Sequence, residues 1–187
     1  MLTFKLTALI MKFNSLLFLL CCVFLTNAQS DWRIAKNTSS LDQVERIVLP
    51  EQNNDQLLQA ELNRRGPGIA PRFAVTFPMN ITPETHGAWD YTSSGKAVWR
   101  LRIHSKNAKS LNLGFTKYFM PDGGILVLYS LDQQEIAGPF SPADNEDHEQ
   151  LWTPIFPADE LVVEVQVPIQ NKSLLQLELS SINHDFL

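Results

Sequence analysis

The chain has 187 residues, 20 acidic against 15 basic side chains for a net charge of −5 at pH 7, and two cysteines. So acid-rich a chain is a poor partner for nucleic acid or anionic lipid, whose phosphates it would repel. Its length suffices for one domain of ordinary size with a buried core.

Lys5 and Lys12 are the only charges before Asp31, and the apolar run from Leu16 to Leu25 ends at Thr26-Asn27-Ala28. This is the layout of an export signal with a small-residue cleavage site, so residues 1–28 are expected to be removed after Ala28. Met11 is an alternative start that makes the signal more compact. The run is short for a bilayer span and no basic stop-transfer flank follows it. Cys21 and Cys22 fall inside the signal, so the mature chain would carry no disulfide and would rely on its core. Its charge would become 13 basic (15 minus Lys5 and Lys12) against 20 acidic, or −7. The expected product is extracellular, free of the membrane and compatible with a monomer.

Residues 29–71 read as a weakly structured leader. Val44, Ile47 and Val48, then Leu57, Leu58 and Leu62, permit short helical turns around Pro50, and no strand pattern shows. Arg64-Arg65-Gly66-Pro67-Gly68 is expected to break regular structure. The arginine pair is a possible processing site, although dibasic pairs in flexible linkers are common. Asn37-Thr38-Ser39, Asn80-Ile81-Thr82 and Asn171-Lys172-Ser173 match glycosylation acceptors, which matter only in a eukaryotic secretory route.

From Arg72 onward strands are expected. Phe73, Val75 and Phe77 alternate, Pro78 and Pro83 frame a connection, and His86 to Tyr91 makes a short aromatic strand. In the next run Ala97, Trp99, Leu101 and Ile103 form a buried face, while Val98, Arg100, Arg102 and His104 form a wet one. Leu111, Leu113, Phe115 and Phe119 share one parity against Asn112, Thr116 and Tyr118; Lys117 is a misfit that snorkels or marks a bulge. Pro121-Asp122-Gly123-Gly124 is turn chemistry, and Ile125 to Tyr129 is apolar throughout, as in a strand covered on both faces. Glu135 to Phe140 and Gln150 to Phe156 follow, separated by a polar loop. Leu161, Val163, Val165 and Val167 then oppose Glu164 and Gln166, and Leu175, Leu177 and Leu179 oppose Gln176, Glu178 and Ser180. Eight or nine short strands without a long helix predict an all-β antiparallel sandwich, jelly-roll-like, over residues 72–187.

Catalytic signatures are missing: there is no GxSxG, no glycine-rich phosphate loop, no HExxH and no metal-binding cysteine pair. The acidic loop Asp144-Asn145-Glu146-Asp147-His148-Glu149, with Asp159 and Glu160 beyond it, offers hard oxygen ligands for Ca²⁺, but without the spacing or glycine of an EF-hand it reads first as a solvated loop. His86, His104, His148 and His184 would serve as base or metal ligands only if the fold gathered them. Trp89, Trp99, Trp152, Tyr91, Tyr118 and Tyr129 would form a sugar- or peptide-binding platform if several faced outward in a row. Trp99 sits on the core parity, whereas Trp89 and Trp152 lie beside turns.

Taken together, Val98-Trp99-Arg100-Leu101-Arg102-Ile103, Ser110-Leu111-Asn112-Leu113-Gly114-Phe115, Leu126-Val127-Leu128-Tyr129, Gly138-Pro139-Phe140, His148-Glu149-Gln150-Leu151-Trp152-Thr153-Pro154 and Ile182-Asn183-His184 resemble the non-catalytic region that precedes the peptidase domain in bacterial secreted trypsin-like proteases of the lysyl endopeptidase type. The resemblance covers about Arg72 to Phe186. It implies a pro-region that assists folding, holds a zymogen inactive or recognises substrate, with a cognate serine peptidase domain as partner in cis or in trans. No Gly-Asp-Ser-Gly-Gly occurs, so no triad residue carries over and the chain is not expected to cut peptides. It is expected to be either part of a protease precursor or a freestanding descendant of the module, the latter a binding module for glycans or proteins. The polar loop and the proline-flanked strand there motivate a further expectation, that the strands following Gly138 supply an edge for docking the peptidase.

Overall fold

Alternating and continuous apolar runs fold here into two facing sheets that share a single core. The computed structural model describes residues 33–187. The expected export signal, its cleavage point at Ala28, and Cys21 and Cys22 lie outside the described residues. Ile34–Leu187 forms one unit. Its strands are β1 (Arg46–Val48), β2 (Ala74–Ile81), β3 (Ala88–Tyr91), β4 (Lys96–His104), β5 (Ser110–Phe119), β6 (Ile125–Tyr129), β7 (Ile136–Phe140), β8 (Leu151–Trp152), β9 (Glu160–Pro168) and β10 (Gln176–Asp185).

One sheet runs β1-β4-β9-β6-β7, with β3 also paired to β4, and the other runs β2-β10-β5-β8. Without β1 and β3, the remaining strands counted in chain order run 2-7-4-5 and 1-8-3-6, the two interleaved Greek keys of a jelly roll. The core between the sheets is built by the expected faces: Trp99 and Leu101 from β4, Leu111 and Leu113 from β5, Val163 and Val165 from β9 are all buried. The Trp99 indole N–H donates to the His86 carbonyl at 2.8 Å, so the ring is buried without an orphaned donor. The turn before β6 contains Gly123 at φ 75°, a conformation that the absent Cβ makes accessible.

Four expectations need correction. Residues 34–48 are not a loose leader, because they lie against the outer face of the larger sheet. β1 pairs in parallel with β4, Arg46 opposite Arg102 and Val48 opposite His104. The face of β4 expected to be wet is therefore covered: Val98 is buried, and Arg100 is only 4% exposed. Arg100 donates to the carbonyl of Ser39 at 2.5 Å and to Asp90 Oδ2 at 2.8 Å. Arg102 donates to the Leu41 carbonyl at 3.0 Å and to Glu160 at 2.6 Å. Glu164 of β9, expected opposite the core, is buried for the same reason, accepting from the Ala35 N–H at 2.8 Å, and Gln166 is buried beside it. Alternation reports two faces, not what comes to lie on the second.

The second correction is that the short helical turns expected around Leu57, Leu58 and Leu62 form one continuous helix, α1 (Asn54–Arg64), within the expected leader. Asn53 caps it by accepting from the Gln56 N–H at 3.0 Å. The third concerns β5. Leu179 pairs with Phe115 but Glu178 with Lys117, so Thr116 is an extra residue that shifts the parity beyond it. Tyr118 is thereby turned into the core and Phe119 outward to 41% exposure. The expected bulge at the misfit Lys117 is present, and the expected sides of Tyr118 and Phe119 are reversed. Fourth, Pro78 stands inside β2 rather than framing a connection; β2 is an edge strand, where a missing N–H leaves no ladder bond unmade. Among the described residues no helix is long and apolar enough to cross a membrane.

Candidate functional site

The two sheets differ in what covers their outer faces. Residues 34–48 overlie the larger sheet, whereas the outer face of β2-β10-β5-β8 carries exposed side chains. The pleat sets Asn112 and Gly114 of β5 outward, opposite in parity to Leu111, Leu113 and Phe115. A second bulge at Ser180, between the pairs Leu179–Phe115 and Ser181–Gly114, turns Ser181, Asn183 and Asp185 to the same side.

Two rows of side chains result. In the first, Thr76 Oγ1 donates to Asn183 Oδ1 at 2.6 Å, Asn183 Nδ2 donates to Asn112 Oδ1 at 2.8 Å, and Asn112 Nδ2 donates to the Thr153 carbonyl. This amide ladder crosses β2, β10 and β5 and ends beyond β8. In the second, Gly114 pairs with Trp152 across β5 and β8. The indole lies over the glycine so closely that a Cβ at 114 would stand 2.5 Å from Trp152 Cζ3 and 2.4 Å from Ser181 Oγ. Trp152 remains 57% exposed and Ile155 63%. Between Ile155 and residues 71–76 runs a groove of about 390 Å³. An apolar, aromatic surface rimmed by satisfied amides is what a protein-binding face presents.

The sequence-derived candidates are distributed otherwise. Asp144 spends its carboxylate on the chain, accepting from the Ser141 N–H at 2.7 Å and capping the turn Pro142–Asp144. Asn145 brackets Met120, accepting from its N–H at 2.8 Å and donating to its carbonyl at 2.9 Å. Glu146 and Asp147 are exposed beside them. Glu160 is the hub of an ion cluster with Arg46 at 2.7 Å and Arg102 at 2.6 Å, and the His104 ring lies 3.3 Å from its carboxylate. Among the described residues no three His, Cys, Asp or Glu side chains form a group able to hold a metal ion.

The histidines keep separate partners. His86 is beside the Thr85 hydroxyl, His104 is on Glu160, and His148 accepts from the Gln150 N–H in the exposed loop. His184 is fully buried between Ser105 Oγ at 2.7 Å and Asn54 Oδ1 at 2.9 Å, where burial lowers its pKa below the ordinary 6.5. The fold does not gather them into a catalytic set.

Arg64 and Arg65 end α1 on either side of the buried Glu61, at 2.8 and 3.5 Å. Arg72 reaches the same carboxylate through its N–H at 3.0 Å. Burial alone would raise the Glu61 carboxyl, but the Arg72 amide and the Arg64 guanidinium hold it down at about 2. Arg64 also donates to the Ala70 carbonyl at 2.7 Å, which folds residues 66–72 back on the helix end. The basic patch is thus clasped rather than free.

Of the aromatic residues, Trp99, Tyr118 and Tyr129 are buried. Trp89 is half-buried under the Lys172 ammonium, 4.2 Å from the ring centroid, and Lys172 Nζ donates to Tyr91 Oη at 2.9 Å. No outward row joins them to Trp152. The Asn112–Asn183 ladder escaped sequence reasoning because cross-strand register is not local. Gly114 was the available signal, since an isolated glycine inside a strand pattern marks a close approach.

No solved structure matches the chain. A family model, the lysyl endopeptidase N-terminal domain, matches residues 79–186, from the middle of β2 to the end of β10 and over half the chain. The matched residues include both rows of the open face except Thr76, and they carry the resemblance seen in β4, β5, β6 and β10. The chain belongs to the lysyl endopeptidase N-terminal domain family, the non-catalytic pro-region of these serine proteases.

Proposed function

We propose that this chain is an exported pro-region that docks on a serine peptidase of the lysyl endopeptidase type through the open face of β2-β10-β5-β8, assisting its folding and holding it inactive. The observation that carries this reading is the exposure of Trp152 and Ile155 at the β8 edge, while the outer face of the other sheet is covered by the chain itself. Large exposed apolar side chains gathered on one face mark interaction surfaces. β8 spans two residues, Leu151–Trp152, and leaves an edge at which an extended partner strand can add. Both strand β7, which contains Gly138, and strand β8, which follows it, end their sheets, in keeping with the docking edge expected there.

The test is to refold a lysyl endopeptidase-type peptidase domain with and without the separately produced full chain. An increased yield of active enzyme, and inhibition of the mature enzyme that weakens tenfold or more with Trp152→Ala or Ile155→Glu, is the expected result. If the chain neither binds, inhibits nor aids refolding, the reading fails. A freestanding glycan-binding module would use the same Trp152 indole beside the Asn112 amide. Retention on a polysaccharide column, lost in Trp152→Ala, together with indifference to the peptidase, would put that reading first.

A further inference from the structure

We propose that the groove between Phe73 and Ile155 is a binding site for an aliphatic ammonium group, the side chain of a lysine displayed on a partner polypeptide. The site does not depend on which polypeptide carries the lysine, and so it stands or falls apart from docking to a peptidase. Asp185 lines this groove, and the pleat of β10 sets it on the same side as Asn183. Its side chain is buried, with the residue 4% exposed. One carboxylate oxygen accepts from Ser110 Oγ, and the other, Oδ1, has no hydrogen-bond donor. A buried carboxylate oxygen without a donor is costly, and the cost is relieved by a ligand that brings one.

The chemistry of the walls narrows the ligand. Phe73 and Ile155 are 55% and 63% exposed and offer apolar surface to a methylene stem, while Thr76 and Asn183 satisfy one another and need no ligand. A lysine buries such a stem while its charged head seeks a polar partner. The single free oxygen suits the point charge of an ammonium better than a guanidinium, whose fork takes two acceptors at once. Arg72, also on the lining, is turned to Glu61, with its Nε 3.5 Å from Oε2, and so does not neutralise Asp185.

The experiment is an amide NMR titration of the full chain with N-acetyl-lysine methylamide, compared with its neutral counterpart N-acetyl-norleucine methylamide. Saturable shifts are expected at the amides of Asp185, Asn183 and Ala74, with the lysine probe binding about tenfold tighter than norleucine, a difference of about 1.4 kcal/mol. Asp185→Asn keeps an acceptor for Ser110 and should abolish the preference. If that variant does not fold, Ile155→Lys carries the test, because a cation on an exposed rim position should weaken lysine binding at least tenfold without disturbing the core. The proposal is overturned if those amides do not respond, if norleucine binds as well as lysine, or if folded Asp185→Asn or Ile155→Lys binds lysine unchanged.

Discussion

The carboxylate of Glu164 accepts the backbone N–H of Ala35 at 2.8 Å, joining two residues 129 positions apart. Glu164 lies in the middle of β9 and is fully buried, and it also accepts from Tyr129 Oη at 3.0 Å and Gln166 Nε2 at 2.8 Å. The N-terminal segment thus helps satisfy a charge that its own coverage keeps from water. Burial raises the Glu164 carboxyl above its ordinary 4.5, against the pull of Ala35, Gln166, Tyr129 and Arg100.

Removing that acceptor should loosen the segment. Glu164→Ala is expected to speed hydrogen exchange at the Ala35 amide by tenfold or more, while Glu164→Gln, which retains an oxygen for it, should keep protection near the native level. Because the folded pKa lies above the unfolded one, the folded state binds the extra proton between them, and stability falls as pH rises above 4.5 through that window. Denaturant melts in Glu164→Gln should lose this part of the slope. A Glu164→Ala protein with an unchanged Ala35 exchange rate would contradict the contact's role.

Glu61 titrates in the opposite sense. Its folded value of about 2 lies below the ordinary 4.5, so its stabilising contribution is fully present above 4.5 and is lost as pH falls toward 2. Glu61→Gln should remove this acid dependence. It should also expose Arg64 and Arg65, giving trypsin cleavage at that pair several-fold faster at neutral pH, as followed by mass spectrometry of the fragments.

His184 contributes a second acid slope at higher pH. With its folded pKa depressed below 6.5, the unfolded chain binds the proton first, and stability declines as pH falls from 6.5 through the folded value. His184→Gln, which can still bridge Ser105 and Asn54, is expected to flatten the stability profile just below pH 6.5 without changing it above neutrality. Urea midpoints at several pH values read both effects.

Gly114→Ala tests the close approach on the open face. The added methyl would meet Trp152 and Ser181 well inside contact distance, so the indole must lift. A loss of about 1–3 kcal/mol and a red shift of tryptophan emission are expected. The double variant Gly114→Ala, Trp152→Ala should recover part of the stability, since it removes one of the two clashing groups.

Much of the architecture was legible because β-structure writes itself locally. Alternation placed Ala97 to Ile103 and Leu161 to Val167 with the right residues inward, the apolar run at Ile125 marked a strand buried on both faces, and the motifs from Val98 to His184 pointed to the family. Lys117 even announced the bulge that reversed Tyr118 and Phe119. Yet the same alternation placed Arg100 and Glu164 on a solvent face, it passed over β1, whose pattern is too short to register, and the leucines from Leu57 to Leu62 suggested only short turns where α1 runs. The strand order, the burial of those charges, the clasp on Glu61, the Asn112–Asn183 ladder and the open face with Trp152 and Asp185 were decided only by tertiary structure. The reason is that periodicity records how one strand partitions its own two sides, whereas the cover on each side comes from residues tens to more than a hundred positions away, as Ala35 does for Glu164.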